Sequence, residues 1–360
     1  MGSVLGKNVV LSVFGESHGQ CVGGCLDGFP AGVNIDTGYI SQMLARRSPA
    51  GKDYATKRAD SDDFKLLSGV LDGKTTGAPL VFMVENLDTR SRDYNPDLLR
   101  PNHADFTARV RYNNHSDPYG GGHFSARLTT ALVIAGALCG LALQKFNIKI
   151  NAHIAHIGHI KDTAYDPVSH CAPENAAGFE TLCPQAAEAM RGLIADTLAK
   201  GDSIGGAVEC KISHLPAGLG SPMFDTVEGV LAKAIFAVPA VKAVQFGAGT
   251  DFSAMTGSAA NDPFVIQDGK IKTKTNNCGG ILGGITSGMP VLLTAHFKPT
   301  PTIALAQETV DVSDMQPKTL AAKGRHDPCV VPRAVVVVES VCAASILDLI
   351  LEAYGYDGFR

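Results

Sequence analysis

The chain has 360 residues, of which 45% are hydrophobic and 18% charged, a composition typical of a folded globular protein rather than a disordered one. Its formal net charge of −4 gives no general attraction to polyanions, so nucleic acid is not an expected partner and any anion site requires a local cluster of cationic side chains. Nine cysteines without Cys-x-x-Cys spacing, and a start that lacks a charged and apolar signal segment, favour the reducing cytoplasm.

The first predicted element is a strand over residues 7–13, which are β-branched and apolar. It runs into Gly15-Glu16-Ser17-His18-Gly19, where glycines break the pattern. The sequence therefore places His18 at the end of a strand.

A helix is predicted next, over residues 37–47. The following Ser48-Pro49-Ala50-Gly51 stops it, so Arg46 and Arg47 lie in its last turn or in the loop beyond. Cations at this end also suit the helix dipole.

The middle of the chain joins a long polar stretch to its most apolar segment. Residues 52–111 are polar and rich in turns, and loops this long are usually functional or disordered. Tyr119-Gly120-Gly121-Gly122 then leads into a helix predicted over 125–145. Glycine permits close backbone approach and helix starts favour anions, so this junction is a candidate phosphate site. The apolar part, 129–143, is too short for the roughly 20 residues that cross a bilayer, which favours a buried helix.

Later elements mix helices and strands without a regular βαβ alternation. We expect an α+β fold in one domain over residues 1–360, without a membrane segment. The predicted helices cover 184–200, 226–238 and 339–354, and the predicted strands cover 208–214, 290–297 and 334–338.

Three loops combine ionisable groups with glycine and proline, a composition that carries sites more often than cores. They are Gly15-Glu16-Ser17-His18-Gly19, Arg100-Pro101-Asn102-His103-Ala104-Asp105 and Gly324-Arg325-His326-Asp327-Pro328. With Ser125-Ala126-Arg127 they supply the histidines, arginines and carboxylate needed to bind an anion and move protons near neutral pH.

The same segments carry a resemblance. Residues 15–19, the glycine-rich turn that closes with 125–127, and 324–329 resemble the three signature segments of the chorismate synthase family, in the expected order. Further similar segments, among them Thr75-Thr76-Gly77 and Lys298-Pro299-Thr300, extend the resemblance over essentially the whole chain. The sequence departs from the family pattern at five places: Asp53, Asn102, residues 113–116, His123-Phe124 and Pro239.

The resemblance implies a fold with a helical core sandwiched between antiparallel β-sheets, and a homotetramer. It implies a lyase of the shikimate pathway that makes chorismate by 1,4-anti elimination of phosphate from 5-enolpyruvylshikimate 3-phosphate, with reduced FMN as cofactor. We see no added segment for an NADP-dependent reductase, so we expect an external source of reduced flavin.

The resemblance also implies roles for individual residues. His18 is expected to protonate the leaving phosphate, His103 to protonate the reduced flavin, and Asp327 to help take the ring proton through flavin N5. The expected substrate-binding residues are Arg46, Arg47, Arg100, Arg127 and Arg325. The expected flavin contacts are His123, Phe124, Ser125, Ala240, Gly279, Lys298, Pro299, Thr300, Pro301, Thr302 and Arg325.

Alternative interpretations remain open at this point. His18 and His103 can be structural histidines at strand ends, His326 can merely orient its neighbours, and residues 279–284 can form only a tight turn. His153, His156 and His159 suggest zinc and hence a metal-dependent hydrolase, but they alternate with isoleucines as in a strand and no further ligands complete a tetrahedral site, so no metal is expected. A catalytically inactive flavin-binding or phosphosugar-binding homologue is the other alternative.

Overall fold

A computed structural model describes residues 2–52, 54–55, 62–87, 89, 94–171, 179–321 and 327–359. The helices in these residues are α1 (Thr37–Arg47), α2 (Asp105–Arg111), α3 (Thr129–Leu143), α4 (Pro184–Ala199), α5 (Val227–Phe236), α6 (Gly257–Ala260) and α7 (Val331–Tyr354). The strands are β1 (Val4–Leu5), β2 (Val10–Gly15), β3 (Cys21–Asp27), β4 (Phe64–Ser68), β5 (Val70–Leu71), β6 (Lys74–Thr75), β7 (Leu80–Glu85), β8 (Lys149–Ile157), β9 (Ile160–Lys161), β10 (Gly206–Ser213), β11 (Val241–Phe246), β12 (Phe264–Gln267), β13 (Lys270–Thr273), β14 (Ile281–Leu282), β15 (Ile285–Thr286), β16 (Val291–Phe297), β17 (Gln307–Asp311) and β18 (Gln316–Leu320).

Ten of the strands form two five-stranded sheets in which every neighbouring pair is antiparallel. The first has the order β1-β2-β3-β7-β4, and the second the order β11-β16-β10-β8-β9. Side chains on one face of each sheet are buried, as Val22 opposite Val84 and Ile154 opposite Val208 illustrate. Each sheet therefore presents an apolar face to the helices.

The helices fill the space between these two faces. Helix α3 packs against β2, β3 and β7 of the first sheet, α7 packs against β8 and β10 of the second, and the two helices pack against each other. Helices α1 and α5 also contact α7. The expected helical core between antiparallel sheets, and with it the α+β class, is confirmed.

Helix α7 is buried almost all round, from Val331 to Leu351, and its polar groups find partners inside the protein. The Glu339 carboxylate accepts the Ala152 backbone N–H at 2.8 Å and pairs with the Arg46 guanidinium. The Asp348 carboxylate accepts the backbone N–H groups of residues 7–9 at 2.6–3.0 Å. These bonds offset the cost of burying the two carboxylates and tie the N-terminal segment and β8 to the helix.

Most predicted elements are confirmed. Helix α1 has the predicted bounds, the helices predicted over 125–145, 184–200 and 226–238 correspond to α3, α4 and α5, and the strands predicted over 208–214 and 290–297 correspond to β10 and β16. The strand predicted over 7–13 begins later, at Val10.

The strand predicted over residues 334–338 is wrong, because these residues lie inside α7 and the helix begins at Val331 rather than near residue 339. The run is rich in valine, which favours strands by a few tenths of a kcal/mol to about 0.7 kcal/mol per residue. Burial of each valine between α3 and the second sheet contributes about 1.5–3 kcal/mol and decides the conformation.

Two helical segments, 126–146 and 331–359, are long and apolar enough to cross a membrane by composition alone. In the structure 78% and 100% of their most apolar windows are buried inside the protein. They are therefore the core helices that the two sheets enclose.

The close packing of α3 against α7 predicts a stability effect at Gly136. A Cβ on Gly136 would lie 2.2 Å from the Ser340 Cβ and 2.3 Å from its Cα, so Gly136→Ala must push the helices apart and should destabilise the protein by roughly 1–3 kcal/mol. Gly140→Ala on the same helix is the control, because its new Cβ would meet the Tyr39 ring and hydroxyl no closer than 3.4 Å and alanine favours the helix by up to about 1 kcal/mol. Denaturant unfolding of both variants checks this, and equal stability would contradict the packing argument.

Candidate active site

A cavity of about 370 Å³ lies where one end of each of α1, α3 and α7 meets the loops around residues 100–104 and 298–302. Three arginines from these helix ends face it: Arg47 from the last turn of α1, Arg127 from just before α3, and Arg333 from the first turn of α7. Arg100 and Lys298 also line it, and so does the Asp327 carboxylate. The fold thus gathers cations that are far apart in the sequence.

Arg47 and Arg127 are joined by one carboxylate. Asp62 Oδ2 accepts from Arg47 Nη2 at 2.7 Å, and Asp62 Oδ1 accepts from Arg127 Nη1 at 2.5 Å. Both arginine side chains are only 3% exposed. Arg127 is held further by Asn86 Oδ1 and the Glu85 carbonyl, at 2.9 and 3.0 Å.

The electrostatics of this group follow from its burial. Burial, together with the nearby Arg333 and Arg127, lowers the pKa of Arg47 to about 10 against the opposing effect of Asp62. Burial alone would raise the pKa of Asp62, but its two guanidinium partners outweigh that effect and hold it below the usual value. Arg47 Nε and Nη1 are buried without a hydrogen-bond partner in the described part of the chain. These donors are available to an anion in the cavity.

Arg333 is a site residue that the sequence reasoning missed. Its Nη1 pairs with Asp327 Oδ2, and its Nε donates to the Arg47 carbonyl at 2.9 Å. The strand predicted over residues 334–338 excludes a helix there, so the sequence gives no reason to place Arg333 at the start of a helix that faces the cavity. Arg325, the expected cationic neighbour of Asp327, lies outside the described residues, as do His326 and Asp53.

His103 lies on the cavity wall beside Arg100 and Asp105. Asp105 Oδ1 accepts from His103 Nδ1 at 2.8 Å, and the Arg100 guanidinium donates to both oxygens of the same carboxylate at 2.8 and 2.6 Å. Lys298 Nζ donates to the Asn102 carbonyl in the same loop at 2.5 Å. Asn102 has φ of 57°, a left-handed conformation that explains how it replaces a glycine of the family pattern.

His18 lies in the turn between β2 and β3, next to the cavity wall rather than among the residues that line it. A Cβ on Gly120 would lie 2.5 Å from the His18 ring, and the Tyr94 ring meets it edge to face with centroids 5.5 Å apart. Gly120 and Tyr94 both line the cavity. All three glycines of the 120–122 run have positive φ, which only glycine adopts readily. The His18 ring packs against the first of them, Gly120.

Most of the expected flavin contacts lie together on the cavity wall. Those that line it are Phe124, Ser125, Ala240, Lys298, Thr300, Pro301 and Thr302. The buried Thr300 hydroxyl has no hydrogen-bond partner among the described residues. A second cavity, of about 700 Å³, adjoins the first and shares Tyr94, Arg100, His103, Ala104, Phe124 and Thr302 with it.

Besides His18, four expected site residues in the described part of the chain are not brought to the lining of the first cavity. Arg46 points to the other side of α1, where it pairs with Glu180 and Glu339 at 2.9 and 2.6 Å, because the buried Glu339 requires a cation. His123 Nδ1 bonds the Gly15 carbonyl and its Nε2 bonds Ser3 Oγ. Gly279 packs against the backbone of Gly247, and Pro299 is not part of the lining although its neighbours are.

The histidines considered for zinc lie on and beside β8. His153 is fully buried, and its two ring nitrogens bond Asp162 Oδ2 and Glu209 Oε2 at 2.9 and 2.7 Å. His156 Nδ1 bonds the Gly158 carbonyl. The structure therefore gives His153 and His156 hydrogen-bonding roles in the second sheet.

Comparison with known proteins identifies the family. The family model described as "Chorismate synthase" matches residues 9–351. The chain belongs to the chorismate synthase family. Chorismate synthases from Dehalococcoides mccartyi and Thermococcus kodakarensis are each 43% identical to it, over 98% of this chain and 98% and 99% of theirs. A solved structure described as "Crystal Structure of Chorismate Synthase" superposes with a TM-score of 0.76 at 28% identity, covering 98% of this chain and 94% of that one.

The expected family and reaction are thereby confirmed. Chorismate synthases are lyases that eliminate phosphate from 5-enolpyruvylshikimate 3-phosphate to give chorismate, and this chain is such an enzyme. Nothing in the comparisons supports the inactive homologue.

The shared carboxylate of Asp62 predicts an effect that added anions reverse. Asp62→Ala leaves Arg47 and Arg127 buried without their counter-charge, so it should destabilise the protein by roughly 3–5 kcal/mol. Inorganic phosphate should bind in place of the lost carboxylate and raise the melting temperature of the variant more than that of the wild type. The exposed neighbour provides the control, Asp63→Ala. An Asp62→Ala protein no less stable than this control, or no more responsive to phosphate than the wild type, would contradict the role of Asp62.

Proposed function

We propose that the cavity between α1, α3 and α7 binds the substrate against Arg47, Arg127 and Arg333, beside reduced FMN. The observation that carries the proposal is the excess of positive charge at one buried place. Arg47, Arg100, Arg127, Arg333 and Lys298 face the cavity, whereas Asp62, Asp105 and Asp327 are the carboxylates paired with them in the described residues. A ligand with a phosphate and two carboxylates supplies the missing negative charge.

Arginine suits this task because its planar guanidinium binds carboxylate and phosphate oxygens in pairs. Arg47 keeps Nε and Nη1 for such a ligand, while Asp62 fixes its Nη2. The family resemblance assigns Arg46, Arg47, Arg100, Arg127 and Arg325 to the substrate, and the geometry supports adding Arg333. Arg46 is better explained as the ion-pair partner of the buried Glu339.

The residues present fit the flavin. The unpartnered Thr300 hydroxyl, Lys298 and Phe124 all line the cavity, and they would hold FMN together with Ser125, Ala240, Pro301 and Thr302. When bound, reduced flavin supplies electron density transiently to a reaction that has no net redox change. The protein's own part is to position the substrate, stabilise charge and move protons.

Three residues are proposed to move protons. His18 donates to the leaving phosphate from its place behind Gly120 and Tyr94, while His103 holds a proton at the cavity wall. Asp327 accepts the ring proton, held in direction by the ion pair with Arg333. The ring C–H bond and the C–O bond to phosphate break, a new C=C bond forms, and the phosphate leaves with the donated proton.

The oligomeric state, the location in the cell and the source of reduced flavin are proposed from the family resemblance. The enzyme is proposed to work as a homotetramer in the cytoplasm and to receive reduced flavin from an external source. It would not use NADPH itself.

The proton-accepting role of Asp327 predicts a slow but binding-competent variant. Asp327→Asn keeps the size of the side chain and loses its basicity, so substrate and FMN should still bind while anaerobic single turnover with reduced FMN slows by at least about 10²-fold. Rapid-quench measurement of chorismate, with binding titrations of both ligands, checks this.

Two controls make the assay specific. Wild-type enzyme should form chorismate anaerobically with reduced FMN and should form none under air with oxidised FMN and NADPH. Asp311→Asn is a matched variant, since the Asp311 carboxylate accepts from Ser313 and is not among the residues that line the substrate cavity. A normal single-turnover rate in Asp327→Asn would remove Asp327 as the base, and loss of binding would assign it to structure.

A further inference from the structure

We propose that Asp105 is a positioning residue for His103: it fixes the imidazole so that proton transfer takes place at Nε2. This deepens the proposed function, because it rests on the role of His103 in moving a proton. The resemblance assigns no role to Asp105, and the geometry that points to it comes from the structure.

Hydrogen bonds fix the Asp105 carboxylate at both of its oxygens. Oδ2 accepts the backbone N–H and Nε–H of Arg100, at 2.9 and 2.8 Å, and Oδ1 accepts from Arg100 Nη2 at 2.6 Å. The side chain is 16% exposed. Burial alone would raise the pKa of Asp105, but the bonds from His103 and Arg100 outweigh it and hold this pKa well below the usual range. The carboxylate therefore stays ionised and can only accept hydrogen bonds.

The ionised Asp105 carboxylate determines which ring nitrogen of His103 carries the hydrogen. Because Oδ1 only accepts, the His103 Nδ1 atom at 2.8 Å must carry a hydrogen. The neutral ring then has its lone pair on Nε2, and the charged ring donates from Nε2. Among the described residues no hydrogen-bond partner contacts Nε2, and His103 lines both cavities.

The orientation of the His103 ring depends on the glycine at position 121. A Cβ on Gly121 would lie 3.3 Å from His103 Cε1 and 3.4 Å from Nε2, closer than a side chain usually packs. Gly121 has φ of 87°, so the backbone itself forms the surface beneath Nε2. The bond to Asp105 and this surface together hold the ring in one orientation.

Arg100 belongs to the same unit. Its Nε and Nη2 are engaged by Asp105, and its guanidinium lies over the Tyr94 ring at 5.4 Å from the centroid. Its geometry therefore assigns it to holding Asp105 more directly than to binding a substrate anion.

The test compares Asp105→Asn with Asp105→Glu and with Asp97→Asn. In Asp105→Asn the amide oxygen should keep the place of Oδ2, where it accepts from the backbone N–H and Nε–H of Arg100. The amide NH₂ then faces His103 Nδ1, so the hydrogen of the neutral ring should move to Nε2. Turnover with reduced FMN should fall roughly 10²-fold, with the substrate KM within about threefold of the wild type, because transition-state and not ground-state contacts are lost. Asp105→Glu should recover part of the turnover. Asp97→Asn is the control, since Asp97 pairs with Arg109 and does not touch His103.

The decisive readout is solid-state ¹⁵N NMR of histidine-labelled protein, with the His103 signals assigned by their loss in His103→Gln. We expect hydrogen on Nδ1 in the wild type and on Nε2 in Asp105→Asn. An unchanged tautomer, or Asp105→Asn turnover within twofold of the wild type, would overturn the proposal. If His103→Gln itself turned over normally, the proton role of His103 would fail alone, because the tautomer measurement does not depend on activity.

Discussion

In the described part of the chain, five cationic side chains converge on one small cavity, and the structure around it depends on holding them there. Like charges repel strongly where water is scarce, and each buried guanidinium loses hydration that costs several kcal/mol. Three carboxylates offset most of this cost: Asp62 between Arg47 and Arg127, Asp105 on Arg100, and Asp327 on Arg333. The charge that remains unbalanced is what a polyanionic substrate neutralises.

The helical core explains how such a cluster keeps its shape. The three arginines that face the cavity from α1, α3 and α7 sit at helix ends, and these helices are enclosed by two sheets and packed on each other. The Glu339 and Asp348 carboxylates fix α7 to β8, α1 and the N-terminal segment. Rigid helices therefore present the charged groups, while glycines 120–122 let loop histidines approach the same wall. Preorganised charge of this kind stabilises a transition state without the cost of rearranging solvent.

Much of this arrangement could be predicted from the sequence, because it depends on local patterns. The bounds of α1, the buried helix after the glycine run and the three ionisable loops all follow from periodicity and from glycine and proline positions. The strand predicted over 334–338 failed because valine propensity is weak beside the burial that the tertiary structure provides. Arg333 was hidden by that error. Arg46 and Arg47 are adjacent and chemically identical, so only their distant partners, Glu339 and Asp62, assign one to the core and the other to the cavity.

Variants of Arg46 and Arg47 allow the most direct measurement of the central claim, which is that the cavity cations bind the substrate. Calorimetric titration of 5-enolpyruvylshikimate 3-phosphate into Arg47→Gln should show affinity weakened by about 1.5–3 kcal/mol, the usual value of a charge-assisted contact, with FMN affinity little changed. In Arg46→Gln substrate affinity should stay near the wild-type value, while stability falls because the buried Glu339 loses its cationic partner. The reverse result, in which Arg46→Gln loses substrate affinity and Arg47→Gln retains it, would contradict the account.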